Sequence, residues 1–122
     1  MEESKSIWGP RLWAEIHSTS VKSTPAQFRK YLGKLTRRIP CEECQYHFKS
    51  YVFTHPLSDD EDPIIWAIDF HNDVNRRLYK KVLTYQEAFE QINVYRVNHP
   101  VNILTIIILL ALIACIIHKK ML

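Results

Sequence analysis

Glycine and cysteine are scarce in this chain, and each scarcity excludes something. Two glycines among 122 residues exclude a collagenous chain, a Gly-rich phosphate loop and a flexible Gly/Ser linker. Three cysteines are too few for a disulfide-stapled miniprotein, and the number is odd. Charge of one sign is also lacking. Sixteen Lys and Arg against 13 Asp and Glu leave a net charge of +3, and Lys119 and Lys120 at the C-terminal end supply two of those charges. No nucleic-acid partner is expected from so even a balance. The opening Met1-Glu2-Glu3-Ser4-Lys5 is acidic and has no apolar stretch, so no secretory signal is expected. Alternation of apolar and polar residues never persists, which leaves strands without a signal. An aromatic content of 11% argues against disorder.

What the chain has instead is one long apolar run near its end. Residues 101–117 hold 15 apolar positions out of 17, carry no charge, and stop at His118-Lys119-Lys120. As a helix they span roughly 25 Å, slightly short of a ~30 Å hydrocarbon core. Snorkelling of Lys119, Lys120 and His99 covers the difference. The expected organisation is a soluble domain over residues 1–98 and a C-terminal transmembrane helix, or membrane anchor, over 99–122. By the positive-inside tendency the two lysines favour a cytoplasmic tail, with Arg76, Arg77, Lys80, Lys81 and Arg96 on the other side. Cys115, inside the run, reads as a small apolar residue.

The soluble part reads as helices. Ser6 is placed to cap a first helix with Pro10 in its opening turn, and Trp13, Ile16 and His17 share a face. Thr24-Pro25 opens a second helix carrying Phe28, Tyr31, Leu32 and Leu35. A third runs from Cys41 to about Phe53 and stops at His55-Pro56. An acidic loop, Ser58 to Asp62, precedes a fourth that opens at Pro63 and extends through Tyr79. Thr84 and Glu87 form a capping box for a fifth. The fold class is all-α, a small helical bundle.

Three stretches could carry chemistry. Cys41-Glu42-Glu43-Cys44, after Pro40, puts two sulfurs on one face of a helix start, where the dipole favours a thiolate at the first. That suits a redox dithiol. It also suits zinc if His47 and His55 complete the site, and it could be incidental. On the fourth helix His71, Asn75 and Leu78 share one stripe, and Asn72 and Arg76 the next. Turned inward, these polar groups must bind one another or a polar ligand; turned outward, they are surface residues. Trp8, Trp13 and His17 could line a flat aromatic cofactor or simply pack the core.

Taken together and in this order, the three stretches resemble the Erv/ALR family of FAD-dependent sulfhydryl oxidases, from Trp8 to about Phe89. Trp8-Gly9, Trp13 and His17 look like its opening motif, and Pro40-Cys41-Glu42-Glu43-Cys44 like its redox centre. His71-Asn72-Asp73-Val74-Asn75-Arg76-Arg77-Leu78 with Lys80 matches its HNxVNxxLxK flavin signature. The resemblance implies a four-helix bundle with a short fifth helix, FAD at the mouth of the bundle, and a homodimer. It implies Cys44 beside the flavin ring and Cys41 facing the substrate. Contacts to FAD would come from Trp8, Trp13, His17, Cys44, His47, Trp66, His71, Asn72, Val74, Asn75, Leu78, Lys80, Lys81 and Tyr85. The implied activity is oxidation of protein dithiols, with the electrons passed to O2 to give H2O2, and no metal.

The chain departs from that family in three ways. It has no second CxxC to act as a shuttle, so a dithiol protein or a thioredoxin-like donor must reach Cys41 directly. It has no cysteine after Cys44, other than Cys115, for a structural disulfide. Its apolar tail stands where a targeting sequence would. Such economy resembles the forms carried by large double-stranded DNA viruses, which implies a virion membrane or a host membrane facing the cytoplasm. Against this stand a membrane-anchored zinc-binding module, a structural virion protein, and a disulfide reductase, which would need strands.

Overall fold

A computed structural model describes residues 4–97 and 103–121, and every element among them is helical. Helix α1 spans Lys5–Lys22, α2 Pro25–Leu35, α3 Glu42–Thr54, α4 Pro63–Arg77, α5 Tyr85–Val97 and α6 Ile103–Met121, with a 3-10 turn at Thr36–Arg38 between α2 and α3. Contacts divide the chain into two units, Met1–Phe89 and Glu90–Leu122. The expected boundary between residues 98 and 99, and His99 itself, lie outside the described residues.

The first unit is a four-helix bundle closed by the start of α5. Its core is Ile16 from α1, Phe28, Leu32 and Leu35 from α2, Phe48 and Tyr51 from α3, and Trp66, Ala67 and Phe70 from α4. Ile39 and Leu57 fill the connections. The spacings are those of inward helical faces: 28, 32 and 35 on α2, and 66, 67 and 70 on α4. Phe28 and Leu35 are wholly enclosed, and burying each contributes about 2–3 kcal/mol.

Caps set the helix ends. Thr24 and Gln27 exchange side-chain and backbone hydrogen bonds in a full capping box. Thr84 and Glu87 do the same for α5, as the sequence led one to expect. Asp62 caps α4 by accepting from the Ile64 N–H at 2.9 Å, with Pro63 in the first helical position. The acidic loop is tied back to α2, where Arg29 reaches Asp59 at 2.7 Å and donates to the Leu57 carbonyl.

Two ends differ from expectation. The cap of α1 is Ser4, not Ser6: the Ser4 carbonyl takes the Trp8 N–H and its hydroxyl accepts from the Ser6 N–H. The helix therefore starts earlier and Pro10 lies inside it, where its ring leaves the Ser6 carbonyl without its usual partner. At the other end, α4 stops at Arg77 and Tyr79 does not extend it. Tyr79 adopts a left-handed φ of 56°. Its N–H bonds the Arg76 carbonyl, and the Lys80 N–H bonds the Asn75 carbonyl at 2.8 Å. This is a Schellman ending with tyrosine at the position glycine normally takes.

The second unit contains α6. Its stretch Leu104–Met121 is long and apolar enough to cross a membrane, at roughly 27 Å for its 18 residues. The side chains of 104–121 are exposed, and Lys119 and Lys120 lie in the last turn.

Candidate active site

The dithiol is placed by the turn that Pro40 imposes. Ile39, before the proline, is extended. Cys41 follows as the N-cap of α3, also extended, and its sulfur accepts the Cys44 N–H at 3.3 Å. Gln45 donates to the Ile39 carbonyl at 2.6 Å and fastens the turn. Both thiols are unbridged, and they are unequal. Hydrogen bonds from the Cys44 thiol and from its backbone N–H hold the Cys41 pKa down, with Lys5 adding to the effect. Burial pushes Cys44 up, and the Cys41 sulfur beside it pushes further. The first cysteine is thus the readier thiolate.

Cys44 forms part of the wall of a cleft of about 300 Å³ between α1, α3 and α4. Of the residues singled out in the sequence, Trp8, Trp13, His47, Val74 and Leu78 line it as well. Cys41 is not among the lining residues. Lys5, Gly9, Leu12, Ile16, Ile39, Glu43, Phe48, Phe70 and Arg77, none of them assigned to the site from the sequence, complete the wall. Helical stripes carry the signal for several of these: 5, 8, 12 and 16 on α1, and 70, 74 and 77 on α4.

His17 and His71 meet near this wall, Nε2 to Nδ1, at 2.9 Å. His71 also stacks on Trp13, with ring centres 3.8 Å apart and planes 8° from parallel. Burial pushes both imidazoles down; His71 falls to about 4, with His17 and Lys80 adding to the effect of burial. The pair is therefore neutral at pH 7, one ring donating and the other accepting. His17 Nδ1 is buried with no hydrogen-bond partner. An orphaned polar atom of this kind costs about 1–3 kcal/mol, and a bound polar ligand would recover it.

The remaining sequence candidates lie elsewhere. Trp66 is in the core, 4% exposed, and its indole N–H donates to the His55 carbonyl. Asn72 is buried and both ends of its amide are engaged by Leu83, donating to the carbonyl at 2.8 Å and accepting from the N–H at 3.0 Å. It borders a second, more polar cleft, where Tyr85 donates to Asp69 at 2.7 Å. Asn75 is half-buried, while Lys80 and Lys81 are exposed, and Lys81 pairs with Glu87 at 2.8 Å.

The donors present suit an aromatic cofactor better than a metal. Among the described residues no three His, Cys, Asp or Glu side chains gather to hold an ion. His55, needed for the zinc alternative, stacks on Tyr51. A flat ring system fits the cleft, where Trp8, Leu12, Trp13, Phe70 and Val74 offer apolar faces, while His17 and His71 are not among the lining residues.

A helical bundle with a dithiol at a helix start, set in the wall of an aromatic cleft, defines a small all-α thiol protein. The sequence model of the Erv1 / Alr family matches residues 10–93, and the chain belongs to that family. It is 34% identical over 89 residues to an FAD-linked sulfhydryl oxidase of African swine fever virus, covering 66% of this chain and 75% of that one. A probable FAD-linked sulfhydryl oxidase of Acanthamoeba polyphaga mimivirus is 28% identical over 101 residues, covering 73% and 71%. An FAD-linked sulfhydryl oxidase of Arabidopsis thaliana is 31% identical over 88 residues, covering 65% of this chain and 46% of its own length.

Proposed function

We propose that this chain is an FAD-linked sulfhydryl oxidase that converts protein dithiols to disulfides through Cys41 and Cys44. Two substrate thiols and O2 become a disulfide and H2O2. The observation that carries the reading is the division of labour between the cysteines: Cys44 stands in the cleft wall, while Cys41 caps α3 outside the lining set.

In the oxidised enzyme the two sulfurs are bonded. A substrate thiolate attacks Cys41 Sγ, the Cys41–Cys44 bond breaks, and Cys44 leaves as a thiolate. The second substrate thiol, as its thiolate, then attacks the substrate sulfur of the mixed disulfide. Oxidised substrate departs and Cys41 is left reduced. The chemistry FAD supplies when bound is acceptance of the dithiol's electron pair and its transfer to O2. Trp8, Trp13, His17, His47, His71, Val74, Asn75, Leu78, Lys80 and Lys81 would hold it, with Trp66, Asn72 and Tyr85 further out. The aromatic wall excludes water and orients the ring, and the neutral histidine pair backs Trp13 without adding charge.

The same reading makes α6 a membrane anchor, gives the enzyme a homodimeric state, and has it meet a dithiol protein or thioredoxin-like donor directly. The setting in this reading is a virion membrane or a cytoplasm-facing host membrane, with relatives from African swine fever virus and mimivirus supporting a viral source and α6 supporting a membrane. Cys44→Ser tests the core of the proposal. The variant should keep its flavin and lose O2 consumption with dithiothreitol; undiminished turnover would refute it.

A further inference from the structure

We propose that Lys5 is the counter-charge of the dithiol, its ammonium stabilising the Cys44 thiolate released when substrate opens the Cys41–Cys44 disulfide. This rests on the oxidase reading above and adds a residue to it.

Lys5 lines the same cleft as Cys44, and the field of the two sulfurs, Cys44 foremost, holds its ammonium charged. It occupies the first helical position of α1, where the helix dipole disfavours a cation, and no acidic residue in that turn compensates. A misplaced charge of this kind is stabilised by anions facing it; the two sulfurs act on it most, ahead of Glu43. A local rule broken beside reacting atoms points to function. The other basic side chains on the cleft have partners of their own. Arg77 on α4 pairs with Asp73 at 3.3 Å, and His47 on α3 faces Glu43 at 3.7 Å. Glu43, also lining the cleft, opposes a thiolate at Cys44, which leaves Lys5 to balance it.

The chemical need is specific. Attack by a substrate thiolate on Cys41 Sγ forms one S–S bond and breaks another, and the electron pair of the broken bond goes to Cys44. That sulfur is in a partly buried wall next to another sulfur, where burial disfavours charge. Lys5 acts against that penalty and favours the same sulfur as a leaving group. Because the ammonium is exposed, the effect weakens as salt rises.

The test is the pH dependence of iodoacetamide alkylation of the reduced, flavin-loaded full chain without air, with fragmentation mass analysis of the singly alkylated peptide reading Cys44 apart from Cys41 and Cys115. In Lys5→Gln the profile should move to higher pH, slowing alkylation at pH 7 by about threefold at low salt. Lys5→Arg should restore it, and about 1 M salt should erase the difference. Lys5→Met, with the charge removed and the stem kept, should repeat the Lys5→Gln result. Coincident profiles for wild type and both neutral variants would overturn the assignment. The titration needs no turnover, so a wild-type protein that consumes no O2 would defeat the oxidase reading alone.

Discussion

His17 and His71, 54 positions apart in the chain, share a 2.9 Å contact between ring nitrogens on the flank of Trp13. The contact needs one neutral nitrogen to accept from the other, so protonating both rings destroys it. It links α1 to α4, two of the three helices that form the cleft.

A pH dependence of stability follows. Burial depresses both folded-state pKa values, that of His71 to about 4, from an ordinary 6.5. The unfolded chain therefore binds protons before the folded one does. The pair's contribution is full above about pH 6.5 and is lost as pH falls toward 4. Thermal melts across this window should show a falling Tm, and the slope should be shallower in His71→Gln. Equal slopes would contradict the neutral pair.

Asn72 holds the segment between α4 and α5 by both ends of its amide on Leu83. Asn72→Ala should lower stability by about 1–3 kcal/mol, because it leaves a backbone N–H and carbonyl without their partners. Urea unfolding of the flavin-free protein checks this. A variant whose flavin-free form is as stable as wild type, yet binds flavin poorly, would show that Asn72 acts on the cofactor instead.

Tyr79 is 99% exposed and holds a left-handed φ of 56°. Its side chain contributes no packing, so Tyr79→Gly should stabilise the fold by about 1 kcal/mol through relief of backbone strain. A lower denaturation midpoint in the variant would show that the ring makes a contact worth more than the strain.

Deleting residues 101–122 should release the protein from membranes and leave the flavin-binding unit folded. Fractionation and the circular dichroism melt of the truncated chain check both halves of that outcome. A truncated chain that precipitates without flavin would mean that the apolar tail is part of the folded domain.

Much of this was legible in the sequence because the signals are local. Thr24-Pro25, Asp62-Pro63 and Thr84 with Glu87 announce their helices through the hydrogen bonds that caps need. Two serines near the start could both cap, and only the carbonyl partner of Trp8 decides for Ser4. The end of α4 was hidden because a tyrosine stands where glycine is usual. The grouping of Trp8, Trp13, Cys44 and Val74 at one cleft was implied by the family resemblance and not by helical spacing. The roles of Lys5 and Asn72 were not, because each depends on a contact that only the folded chain makes.

The most direct measurement is the visible absorption spectrum of the purified protein as dithiothreitol is added without air, followed by admission of air. A flavin band should bleach without air, return when air enters, and leave H2O2 in proportion to the thiol consumed. In Cys44→Ser the band should persist through the reductant. A colourless protein, or a band indifferent to dithiothreitol in the wild type, would contradict an FAD-linked dithiol oxidase.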